Sequence, residues 1–144
     1  MFNVRVYGLL IHEKKILLSD ETFSGISFTK FPGGGLQVGE GTIDCLKREF
    51  REEFDWDIEV KKHFYTTDFY VESAFRKKQQ VLCIYYFVEN KNPDQLIFER
   101  LPSNEQNATV YWKPLSILNP ADVTFVIEKK VVALLTEQFV KLKD

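Results

Sequence analysis

Apolar runs bounded by polar turn residues along the first third of the chain predict strands. Residues 2–11 are rich in Val, Leu, Ile and Tyr and read as a strand; His12-Glu13-Lys14 reads as a tight turn, and Lys15 to Ser19 as the returning strand of a hairpin. Asp20 to Ser27 predicts a polar loop, Phe28 to Phe31 a short strand, and Pro32-Gly33-Gly34-Gly35 its break. From Thr42 to Phe54 the period changes: Ile43, Leu46, Phe50 and Phe54 fall on one helical stripe, with Thr42 as N-cap. Residues 58–71 and 79–88 predict two strands around a polar turn, Glu72 to Lys78, and Glu89 to Asp94 a loop. Ala108 to Trp112 reads as a further strand. Val123 to Leu142 predicts a closing helix with Val126, Lys130, Val131, Leu134, Leu135 and Phe139 on or near one face. Strands, one central helix, more strands and a terminal helix predict an α/β layered domain with a mixed sheet between helices.

A chain of 144 residues is long enough for one domain with a sizeable core. Its formal charge of −2, with no long Lys/Arg run, argues against a nucleic-acid polymer as partner. Cys45 and Cys83 are far apart and in no metal-ligand spacing, so a reducing cytoplasm is the expected location. Arg5 interrupts the early apolar stretch, so no signal peptide is expected, and no apolar run reaches membrane-spanning length.

The chemistry concentrates between Gly34 and Trp56. Glu49, Glu52 and Glu53 stand at i, i+3 and i+4 and share a helical face. Three such carboxylates repel each other unless a hard divalent cation draws them together, and oxygen donors without Cys or His suit Mg²⁺. Arg48, one turn before Glu52, is placed to orient a carboxylate. As surface groups these carboxylates are expected to add little to stability. Gly33, Gly34 and Gly35 permit close approach of backbone to a phosphate or metal.

Gly34, then Glu40 after five residues, then Arg48-Glu49-Phe50 with Glu52 and Glu53 after seven more, resembles the Nudix box with each spacing kept. Phe31-Pro32-Gly33-Gly34 resembles the usual lead-in to it. Two positions depart: Asp55 stands where the box carries a helix-closing glycine, and Thr29 where the lead-in often has Trp. A left-handed Asp55 would carry a small stability cost.

The resemblance implies a Nudix-type α/β/α sandwich, with residues 1–144 as a single Nudix hydrolase domain. It implies Mg²⁺-dependent hydrolysis, with Mn²⁺ as the alternative ion, of a nucleoside diphosphate linked to another moiety: an ADP-ribose-like molecule, a nucleotide sugar or a dinucleotide. The metal ligands would be Glu49, Glu52 and Glu53, with a carbonyl near Gly34 as a further one. Arg48 would orient a Glu, and Glu40 would support the loop. Glu105, in the loop Leu101 to Asn107, is the best-placed further carboxylate for a metal or for the proton of the attacking water. Arg5, Phe31, Gly33 and Gly34 are the expected substrate contacts, with Phe28, Tyr65, Phe69, Tyr70 and Phe75 as further aromatic surfaces. Two alternatives stay open on sequence: a house-cleaning nucleoside-triphosphate pyrophosphatase, and a non-catalytic nucleotide sensor. A homodimer is compatible with the resemblance, and no membrane partner is expected.

Overall fold

The structure, a computed structural model, describes residues 1–105 and 107–143, with side chains described through residue 139. Strand β1 (Phe2–His12) turns at Glu13 and Lys14, both in left-handed backbone, and returns antiparallel as β2 (Lys15–Phe23). Left-handed residues at both central positions give the turn whose twist matches that of the strands. The predicted loop Asp20 to Ser27 is instead a second hairpin, formed by the end of β2 and β3 (Ile26–Lys30). Cross-strand polar bonds hold it, including Thr29 Oγ1 donating to Asp20 Oδ1 at 2.6 Å. A search for apolar alternation passes over a ribbon held in this way.

The glycines do not merely break the chain. Gly33–Gly35 form β4, paired antiparallel with Arg5, Val6 and Tyr7 of β1. Helix α1 (Thr42–Phe54) follows, capped by Gly41 rather than Thr42, whose hydroxyl hydrogen-bonds Tyr86 at 2.8 Å. Its C-cap is Asp55, at φ 57° and ψ 34°, so the left-handed conformation expected of this residue is present.

Strand β5 (Ile58–Thr66) stops short of the predicted residue 71, because the Thr67 hydroxyl takes up the Cys83 backbone N–H at 2.9 Å. Strand β6 (Gln80–Asn90) runs parallel to β1. Short β7 (Arg100–Pro102) pairs with β8 (Ala108–Pro114), and α2 (Val126–Lys143) closes the chain. The sheet order is β5-β6-β1-β2-β8-β7, with β3 on β2 and β4 on β1.

Both faces of this mixed sheet are covered, which is why its central strands read as near-continuous apolar runs. Val6, Leu10 and Leu17 face Cys45, Leu46, Phe50 and Phe54 of α1. Tyr7, Leu9, Ile16 and Leu18 face Ile127, Val131, Val132 and Leu135 of α2. The buried stripes differ from those predicted: Ile43, Val126 and Lys130 are exposed, and Cys45, Ile127 and Val132 take the inner places. No helix among the described residues is long and apolar enough to cross a membrane.

Candidate active site

Helix α1 meets β4 at Gly34, where a notional Cβ would lie 2.4 Å from the Glu49 carboxyl carbon. Only glycine leaves room for that carboxylate against the strand. Glu49 is 12% exposed, and burial raises its pKa while the Arg48 hydrogen bond and charge draw it back. Glu52, half exposed, lies one turn on. Oxygens of Glu49, Glu52 and Glu105 come within 4.8 Å of one another.

Glu105 arrives there because its loop is fastened to the end of α1. Asn104 donates its backbone N–H to the Glu53 carbonyl at 2.7 Å and its side-chain amide to the Glu52 carbonyl at 3.2 Å. The same amide reaches Asp55 Oδ2 at 3.3 Å, and Ser103 Oγ donates to the Glu53 carbonyl at 3.4 Å. The last carbonyls of a helix have no partner within it, so an Asn and a Ser supply one. The three carboxylates are thus brought together from two segments about fifty residues apart.

Arg48 ties the rest of the constellation. It donates to both Glu40 oxygens at 2.9 and 2.7 Å, to Glu49 at 3.0 Å, to Glu52 at 3.2 Å and to the Gly35 carbonyl at 3.0 Å. The Arg48 hydrogen bonds, with one from the Gln37 backbone, hold the Glu40 carboxyl down at about 2. A guanidinium fork engaged at every edge fixes the carboxylates it touches.

Glu53 does not join its two helix neighbours. It is 5% exposed, its Oε2 has no hydrogen-bond partner among the described residues, and burial pushes its pKa up to about 8 against the pull of Lys30. Contrary to the expectation of a surface group, this carboxyl faces inward with one oxygen left unpartnered by the described residues. Such an orphan fits a ligand that brings its own charge. All the donors are carboxylates beside a glycine-built opening, a set that fits a hard divalent cation.

Beside this cluster lies a cleft of about 380 Å³, within the range of about 300–1,000 Å³ usual for small-molecule sites. Its walls are aromatic: Phe28 stands 5.2 Å from Phe125 and 5.7 Å from Phe75, and Phe23 5.3 Å from Phe75, between ring centres. Arg5 lines the cleft, donating Nε–H to the Tyr7 hydroxyl at 2.5 Å. Its Nη1 would lie 3.6 Å from a Cβ on Gly35, and the Glu49 charge is among those that raise its pKa, after Tyr7. Arg5 therefore lines the cleft within reach of the Glu49 charge, rather than standing on a solvated strand face.

Three of the four expected substrate contacts do not line the cleft: Gly34 faces the Glu49 carboxylate, and Phe31 and Gly33 are buried. Phe31 is fully buried, edge-on to Tyr85 at 6.1 Å, because β3 turns it into the core under α2. Gly33 is buried at φ 149°, where a Cβ would strike the Val6 carbonyl at 2.1 Å; its close approach is to β1. Of the other aromatics, Phe28 and Phe75 line the cleft, Tyr65 and Phe69 pack beneath Lys130, and Tyr70 is exposed.

The sequence reading passed over Lys30, Glu128, Phe125 and Asn104. Lys30 is buried and paired with Glu21 at 2.9 Å, and Glu128 is buried at the start of α2. Lys30 shares the alternation of Phe28 in β3, so a strand reading alone places the two on one face.

A model of the NUDIX domain matches residues 1–135. No curated protein matches significantly. Among solved structures, the ORF135 protein of E. coli is 17% identical, with 99% of this chain and 91% of that one covered at a TM-score of 0.67. A MutT protein from Methanosarcina mazei is 15% identical, with 95% and 94% covered at 0.68. An ADP-ribose pyrophosphatase from Streptococcus suis is 17% identical, with 94% and 90% covered at 0.62. At these identities the likeness is one of fold.

Proposed function

Because the chain belongs to the Nudix family of hydrolases, we propose that it hydrolyses the diphosphate bond of a nucleoside diphosphate linked to another moiety, with Mg²⁺ as cofactor. The observation that carries this reading is the convergence of Glu49, Glu52 and Glu105 within 4.8 Å, with the Glu49 charge felt by Arg5 in the lining of an aromatic cleft. Glu49, Glu52 and Glu105 would hold the cation, and the inward-facing Glu53 would join them on losing its proton, with the backbone at Gly34 leaving the opening. A divalent ion held there offsets charge on the phosphate oxygens and lowers the pKa of a bound water.

The chain's own groups do the remainder. Arg48 keeps Glu49 and Glu52 in one geometry, so little rearrangement is needed when charge develops. Glu105, exposed like Glu52 and carried on a separate loop, would accept the proton of the attacking water. Arg5, in the cleft lining, would hold a phosphate oxygen, and the Phe28, Phe75 and Phe125 rings would offer stacking surface for a base. Residues 1–144 act as one catalytic unit in this reading.

Structures of similar fold carry names as different as ADP-ribose pyrophosphatase, MutT and UDP-X diphosphatase, so the leaving group must come from experiment. The test is a substrate panel with product analysis, run with Mg²⁺ and again with chelator. Nucleoside monophosphate plus a phosphorylated second moiety, lost on chelation, is the expected result. Release of inorganic pyrophosphate from nucleoside triphosphates alone would favour the pyrophosphatase alternative. Tight nucleotide binding with no turnover on any substrate would overturn catalysis itself.

A further inference from the structure

A second pocket, of about 320 Å³, adjoins the aromatic cleft and takes no part in the reaction above. The two hollows share Arg5 and the edge-on pair Phe23 and Phe75 in their linings. The polar side chains of the second are Asn3, Arg5, Ser73, Arg76 and Gln79, and no Asp or Glu among the described residues joins them. Glu49, Glu52 and Glu105 are therefore not in its walls, and a group held there is not the one at the cation. The acids of the neighbouring cleft are engaged elsewhere: Glu21 pairs with Lys30 at 2.9 Å, and Glu72 accepts the Lys78 backbone N–H at 3.4 Å.

Three segments build this pocket. Asn3 and Arg5, two apart in β1, lie on one face of the strand. Ser73 shapes the turn that carries Arg76: its Oγ accepts the backbone N–H groups of Phe75 and Arg76 at 3.1 and 3.2 Å, and its own N–H donates to the Gln79 carbonyl at 2.8 Å. Arg5 spends Nε–H on the Tyr7 hydroxyl at 2.5 Å, while its Nη1 and Nη2 have no hydrogen-bond or ion-pair partner among the described residues. The Arg76 guanidinium and the Asn3 and Gln79 amides likewise have none among them. Two permanent cations and two amides thus line one hollow with no acid beside them. A carboxylate would bring two oxygens and one charge. A phosphate monoester brings three terminal oxygens and close to two charges at neutral pH, which matches a pair of guanidiniums better.

We infer that this pocket is a subsite for a phosphate monoester, bound through Arg5 and Arg76 and separate from the diphosphate that is cleaved. The inference rests on the hydrolase reading only in treating this phosphate as a second one. Because Arg5 is common to both linings, the two phosphates would be neighbours. The monoester arrives either as a further phosphate group on the substrate or as free inorganic phosphate, and the chemistry that recognises it is the same.

The test titrates the intact, isotope-labelled protein with inorganic phosphate in chelator at matched ionic strength, followed by nuclear magnetic resonance. The side-chain amide signals of Asn3 and Gln79 and the backbone signals of Ser73, Phe75 and Arg76 should shift together along one binding curve. Arg76→Gln, a replacement at an exposed position, should weaken binding about tenfold, the usual worth of a charged hydrogen bond, with the rest of the spectrum in place. Saturation with the tightest binder among AMP, GMP, UMP and CMP should leave the phosphate affinity within about fivefold, the low end of ordinary coupling between two sites. The 2′,5′- and 3′,5′-bisphosphates of that nucleoside then identify the source. If either binds about tenfold tighter than the 5′-monophosphate, the phosphate comes on the substrate; if neither does, the pocket takes free phosphate, and both results uphold the subsite. No shift at these groups, an unchanged curve in Arg76→Gln, or displacement of phosphate by the nucleotide would each overturn the inference. Phosphate bound at these groups with none of the four nucleotides taken up would count against the hydrolase reading and leave the phosphate site standing.

Discussion

Replacing Glu53 by Gln should stabilise the metal-free protein in alkaline solution while removing activity. The Glu53 carboxyl is enclosed, with one oxygen unpartnered, and its pKa stands at about 8 against an ordinary 4.5. Between those values the unfolded chain is ionised at this position while the folded chain keeps its proton, so stability falls as pH rises across the window. Each pKa unit is worth about 1.4 kcal/mol, which bounds the loss from this one group at about 5 kcal/mol by pH 8. Gln has no charge to lose. Melting temperatures of wild type and Glu53→Gln, followed from pH 5 to 8.5 in chelator, should therefore diverge, with the wild type dropping more steeply. At about 2–4 °C per kcal/mol for a chain of this size, the gap at pH 8 is on the order of 10 °C. Added Mg²⁺ should close much of the gap by offsetting the ionised carboxylate in the wild type alone. Parallel curves in chelator would refute the reasoning, because Glu53 would then be ionised in the folded protein or compensated by a cation.

Three further substitutions probe the supports of the site. Asn104→Ala removes the amide that holds the Glu105 loop to the Glu52 carbonyl; turnover should drop at least tenfold with about 1 kcal/mol of stability lost, and unchanged kinetics would show that loop and helix need no such tie. Gly34→Ala puts a methyl where the Glu49 carboxylate lies, so Mg²⁺ affinity measured by titration should fall while the chain stays folded; unaltered affinity would place the ion elsewhere. Asp55→Gly relieves a left-handed residue but gives up its contact with Asn104, and should raise stability by up to about 1 kcal/mol; a lower melting temperature would mean that the Asn104 contact outweighs the backbone.

The layers of the fold and the acidic helix were legible because both rest on local periodicity. Val6 to Leu10 and Leu17 pack both ways in a covered sheet, and a short-range pattern reports that directly. The β2–β3 hairpin was not legible, since its pairing depends on side-chain hydrogen bonds such as Thr29 to Asp20. The site divided along the same line. Glu49, Glu52 and Arg48 are neighbours on one helix, and their spacing alone places them. Which way Glu53 turns is decided by how α1 leans on the sheet, and that Phe31 enters the core depends on α2, ninety-five residues later in the chain. Lys30 and Glu128 read as ordinary charges until the sheet and α2 bury them around one cleft. Glu105 was only one of several exposed carboxylates until Asn104 fastened its loop beside Glu52.

The central claim is that carboxylates of α1, with Glu105, gather a divalent cation. Titration of the protein with Mn²⁺, followed by electron paramagnetic resonance of the free ion and by competition with Mg²⁺, tests it without any substrate. The wild type should take up Mn²⁺ in a form that Mg²⁺ displaces, and Glu49→Gln and Glu52→Gln should each weaken uptake about tenfold or more while remaining folded. Equal uptake by wild type and both variants, or no uptake by the wild type, would contradict the account.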